Sequence, residues 1–166
     1  MPNWCSARAE IVCSDKQSGE KLYQKLVATM TEADRCGRGV FVGSDRYWFD
    51  STVELDNNTV TLTGEIRWGF DDDDIVKMIK YLKETADIKT VEVRYEECGC
   101  LLYGSYFYNG KTLTDTFVAA EDFPDYDGED SYYDELENLL ETKPTTNFTN
   151  CSKIFDTALG TKLLLP

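Results

Sequence analysis

Histidine is absent from all 166 residues. Its absence removes Ser-His and Cys-His catalysis, the commonest general base near neutral pH, and the usual ligand of catalytic zinc. The glycine-rich patterns that cradle phosphates, G-x-x-x-x-G-K-[ST] and G-x-G-x-x-G, are also missing. Proline is scarce, at four residues, and no internal repeat or low-complexity linker divides the chain. No apolar run approaches the roughly 18 residues that cross a bilayer. The opening MPNWCSARAE has neither the basic segment nor the apolar core of a signal peptide, so a non-secreted, cytoplasmic protein is expected. Cys5, Cys13, Cys36, Cys98, Cys100 and Cys151 then read as reduced thiols rather than three disulfides. The glycosylation patterns at Asn57, Asn147 and Asn150 read as chance matches.

Positive charge is the remaining shortage, with 17 Lys and Arg against 31 Asp and Glu and a net charge of −14. Residues 1–120 hold 14 basic and 20 acidic residues, a net of −6; residues 121–166 hold 3 and 11, a net of −8. Such a surface repels nucleic acid and anionic lipid, because phosphate binding needs cations that displace counterions. A basic protein partner is favoured instead. The charge peaks between Glu121 and Glu141, where ten carboxylates occur without one Lys or Arg. Acidic runs without aromatics are solvating tails, whereas this one contains Phe123, Tyr126, Tyr132 and Tyr133, enough apolar surface to dock it in a fixed pattern. The competing reading is a solvated surface segment.

A hydrophobic fraction of 42% and an aromatic fraction of 13% indicate a folded globule. Trp4 to Val12 alternates as a half-buried strand does, with Cys5, Ala7, Ala9 and Ile11 on one side. From Ser18 the period becomes helical through Leu22, Leu26 and Met30, ending near Cys36-Gly37. Val40–Val42 and Tyr47–Leu55 read as extended, and Asp56-Asn57-Asn58 turns the chain into a strand over 59–68. Asp71-Asp72-Asp73-Asp74 precedes Ile75, Met78, Ile79 and Leu82, as acids at a helix N-terminus do, which predicts a helix over about 72–85. Four adjacent aspartates on a helix diverge by about 100° each and so do not converge on one cation. Thr90–Tyr95 is a further strand, and Leu101–Tyr108 with Lys111–Ala119 form a hairpin around Asn109-Gly110.

The order β-α-β-β-α-β followed by β-β is α+β. Its first six elements predict a ferredoxin-like antiparallel sheet with two helices on one face, extended by the last hairpin. Residues 1–120 form that domain, and 121–166 an acidic extension packed on it with a short helix around Leu136, Leu139 and Leu140. The opening Met1-Pro2-Asn3-Trp4-Cys5, with Trp68-Gly69-Phe70 and Tyr103-Gly104, resembles the YubB-type ferredoxin-like proteins carried by phages, plasmids and mobile islands. Members continue the opening with Asn and an apolar strand, where this chain has Ser6 and Ala7-Arg8-Ala9. The resemblance covers 1–120, implies the fold and a mobile-element origin, and transfers no catalytic residue.

Cys98-Gly99-Cys100 is spaced too closely for a usual zinc pair, so a strand-end bulge with one buried thiol is expected. Lys77, Lys80 and Lys83 read as the solvated side of a helix. The expectation is therefore a non-enzymatic protein with no cofactor or metal that inhibits a host defence protein, such as a CRISPR effector or restriction enzyme. It would do so by occupying a basic nucleic-acid-binding surface, as an acidic DNA mimic. Asp122, Asp125, Asp127, Glu129, Asp130, Asp134 and Glu135 would face the groove, with Tyr126, Tyr132 and Tyr133 as anchors. The alternatives are a small-ligand-binding or oligomeric regulatory module, and a metal or redox protein centred on Cys98 and Cys100.

Overall fold

The structure, a computed structural model, describes residues 4–123, 129–142 and 146–148. It is α+β, built on an antiparallel sheet. Strands β1 (Trp4–Cys13), β2 (Phe49–Asp56), β3 (Thr59–Arg67), β4 (Ile88–Glu97), β5 (Leu102–Tyr108) and β6 (Leu113–Val118) form the sheet, with a three-residue β7 (Thr146–Phe148) at one edge. Their order is β2-β3-β1-β4-β5-β6-β7, and every neighbouring pair is antiparallel. Three α-helices accompany it, α1 (Lys16–Cys36), α2 (Asp72–Thr85) and α3 (Glu129–Thr142).

The alternation of β1 decides where the core lies. Cys5, Ala7, Ala9, Ile11 and Cys13 are buried, and Ser6 and Arg8 are exposed. On the buried side the strands meet Leu22 and Leu26 of α1 and Ile75, Met78, Ile79 and Leu82 of α2 in one apolar cluster. Met30 packs against its rim. α1 starts where the Asp15 carboxylate accepts from the Ser18 N–H and stops at Gly37, which takes the left-handed conformation that ends many helices. α2 starts with a reciprocal cap between Asp71 and Asp74. The stretch expected to be extended from Val40 makes only one bridge, Val40 to Trp48, before β2 begins at Phe49.

Gly69, Phe70 and Gly104 meet around one side chain. Tyr95 stands on the core face of β4 and donates its hydroxyl hydrogen to the Phe70 carbonyl at 3.2 Å. Its ring packs edge-on to Phe70. A Cβ at Gly104 would lie 2.1 Å from that ring, and one at Gly69 2.5 Å from it. Gly69 also has φ +76, a conformation that side chains disfavour. These two glycines make room for a buried tyrosine, which is a packing role.

Candidate partner-binding surface

The acidic segment leaves β6 at Val118, passes through a short 3₁₀ turn (Ala120–Asp122), and ends in α3. Register places Val118 opposite Tyr103, Tyr103 opposite Glu96, and Glu96 opposite Ser6, all on the face of the sheet away from α1 and α2. α3 docks on that second face. Val118, Phe123, Tyr132 and Leu136 form a separate buried cluster there, with Cys98, Leu101, Tyr103, Leu139 and Leu140 packed around it. Phe123 and Tyr132 stack at 5.5 Å, and the Tyr132 hydroxyl donates to the Leu102 carbonyl at 3.1 Å.

Fourteen residues make a marginal helix in isolation, and here Glu137 and Glu141, one turn apart, repel each other. The helix therefore owes its stability to docking, not to its own surface. Burying Phe123, Tyr132 and Leu136 contributes on the order of 1.5–3 kcal/mol each.

The docking sorts the expected contact residues. Tyr133 and Asp134 are exposed, with Tyr133 at 60%. Tyr132 is fully buried, so it anchors α3 to its own sheet and is withdrawn from any partner. Asp122 turns back to accept from the Ala119 N–H at 2.9 Å. Glu135 is half-buried, with its Oε2 atom enclosed and without a hydrogen-bond partner. Glu129 and Asp130 lie at the start of α3. Asp125, Tyr126 and Asp127 lie outside the described residues, as does the tail from Thr149 to Pro166.

Two outward carboxylates were missed in the sequence, Glu137 and Glu141. With Asp134 they occupy positions i, i+3 and i+7 opposite Tyr132 and Leu136, a signal readable once the helix is placed. The three stand at intervals of about 5 Å along roughly 10 Å of helix. Among the described residues the ion pairs all lie outside α3.

The other acidic cluster is structural. Asp71 caps α2, Asp72 accepts from the Tyr106 hydroxyl at 3.1 Å, and Asp74 binds the Arg46 Nε at 2.9 Å. Among the described residues no three such side chains converge as a metal site. Cys98-Gly99-Cys100 forms a 3₁₀ turn between β4 and β5 instead of a bulge, with Cys98 beneath α3 and Cys100 exposed. The five described cysteines carry thiols; burial pushes those of Cys5 and Cys13 up to about 11, which keeps them protonated and inert. Lys83 is less solvated than its helix face implied, for its ammonium donates to the Tyr108 hydroxyl at 3.1 Å.

These features define an α+β protein with a helix of outward acids fixed to one sheet face. Comparisons with protein-family models, curated proteins and solved structures found no match to the chain.

Proposed function

We propose that the protein acts by binding, with the outer stripe of α3 meeting a basic surface on a partner protein. The observation that carries this reading is a row of carboxylates, Asp134, Glu137 and Glu141, on a helix docked through its own apolar cluster. Like charges on one helix face repel, and a cationic partner relieves that repulsion on contact. Tyr133 beside the stripe offers a large amphipathic ring of the kind enriched at interface hot spots. A described stripe of about 10 Å matches one local patch of a basic groove rather than a full duplex.

The partner class that suits this chemistry is a nucleic-acid-binding host defence protein, a CRISPR effector or a restriction enzyme, whose groove is built to hold phosphate. The strand order β2-β3-β1-β4, with α1 and α2 on one face, supports a ferredoxin-like reading of residues 4–97. The YubB-type resemblance implies that same fold, and with it a mobile-element origin in a host cytoplasm. The lack of histidine and of phosphate-loop patterns supports inhibition by occupancy rather than by catalysis.

The test is competition. Purified protein should displace a DNA duplex from such an effector, and raising salt from 50 to 300 mM should slow its association. The triple variant Asp134→Lys, Glu137→Lys, Glu141→Lys should weaken displacement tenfold or more. Unchanged competition by this variant, with its fold intact by circular dichroism, would remove α3 from the interface.

A further inference from the structure

The centre of the second sheet face carries a constellation separate from the acidic stripe. Among the described residues, α1 and α2 cover the first face, and α3 covers the end of the second face near β5 and β6. Beside α3 the described residues leave a depression of about 480 Å³, within the range of small-ligand sites, floored by Ser6, Arg8, Thr63, Arg94, Glu96 and Tyr103.

Register orders the charges on this floor against the usual preference. Arg8 stands directly opposite Arg94, and Glu10 directly opposite Glu92. Like charges facing each other across strands are destabilising, whereas opposite charges there stabilise. Each arginine instead turns along its own strand. Arg94 binds Glu92 through two nitrogens at 2.7 and 2.5 Å, and Arg8 reaches Glu10 at 3.4 Å through one. Both guanidinium side chains remain 59% exposed. A guanidinium has five N–H donors in a planar fork, so this pair presents donors beyond those the glutamates take.

Two adjacent guanidinium forks match the oxygens of a phosphate or carboxylate, which would neutralise their mutual repulsion. Aromatic surface adjoins them. Tyr103 lines the depression on its α3 side. We infer that this face binds a small aromatic molecule bearing an oxyanion, with the anion on Arg8 and Arg94 and the ring against Tyr103. Three carboxylates share this face, Glu10 and Glu92 bound to the arginines and Glu96 on the floor, so an anion competes with them for the guanidinium forks. The rest of the net charge of −14 acts only at long range, because at physiological salt charges more than about 8 Å away are screened.

The test is calorimetric titration of the whole chain with four probes: adenosine 5′-monophosphate, benzoate, adenosine and inorganic phosphate. Saturable one-to-one binding of the monophosphate or of benzoate is expected, and which of them binds tells phosphate from carboxylate. Adenosine should bind at least tenfold more weakly than the monophosphate. The double variant Arg8→Gln, Arg94→Gln should lose tenfold or more of the affinity for the better probe. Arg8→Lys with Arg94→Lys, which keeps the charge and loses the forks, should fall between, and provides the comparison should the glutamine variant misfold. Tyr103→Leu, which keeps apolar packing against the α3 cluster and loses the aromatic ring, should weaken the aromatic probes and leave inorganic phosphate unchanged. Absence of saturable binding by both oxyanion-bearing aromatics, or equal affinity in folded arginine variants, would overturn the inference. The α3 lysine reversals should leave this binding in place, so the two sites stand or fall separately.

Discussion

Asp74 shows how much one carboxylate can hold together. It is 6% exposed, its Oδ2 accepts from Arg46 Nε at 2.9 Å and from the Asp71 N–H at 3.3 Å, and its own N–H donates to Asp71. Arg46→Met removes the cation and leaves the carboxylate enclosed, a change that should cost about 2–3 kcal/mol in urea denaturation. A loss near zero would mean that Asp74 is satisfied by the helix cap alone. Glu96 makes the opposite case. Burial raises its pKa, so the folded state binds a proton more readily than the unfolded chain. Stability from this group is therefore full below the ordinary glutamate pKa and declines as pH rises through the raised value. Glu96→Gln should leave the unfolding midpoint at pH 4 nearly unchanged and raise it at pH 7. A midpoint lowered at pH 7 would show that the carboxylate makes a favourable contact in its charged form.

At the scale of elements, α3 is a separable unit. Its apolar cluster is distinct from the main core, and its partners come from the β5–β6 end of the sheet and the Cys98–Cys100 turn. Elements with their own small cluster open sub-globally, at less than the full unfolding free energy. Tyr132→Ala removes the central ring and its hydrogen bond to Leu102, and should cost about 3–5 kcal/mol within this unit. Amide exchange should then accelerate in α3 and at the end of β6, while β1, β3 and β4 keep their protection. Uniform acceleration across the sheet would show that the two clusters fold as one.

For the whole molecule, a net charge of −14 is a self-repulsion that any salt relieves. Raising sodium chloride from 20 to 300 mM should increase the melting temperature by roughly 2–4 °C, the equivalent of about 1 kcal/mol at this chain length. A fall would place attractive pairs, such as Arg94 with Glu92, above the repulsion in weight.

Local pattern carried most of the fold. Period-two alternation in residues 4–12, the four-residue spacing of Leu22, Leu26 and Met30, the acids before Ile75 and the Asn109-Gly110 turn each act within a few residues, so each was readable from the chain alone. The presence of an acidic segment with aromatics was equally plain. Which of its groups face outward was not, because that depends on where α3 docks. Tyr132 and Tyr133 are neighbours in sequence, yet one is fully buried and the other mostly exposed, since adjacent helical positions point about 100° apart. The pairing of Arg8 with Arg94 is further still from the linear pattern. They lie 86 positions apart and meet only because β1 and β4 are neighbours in a single register; a one-residue slip would place them on opposite faces.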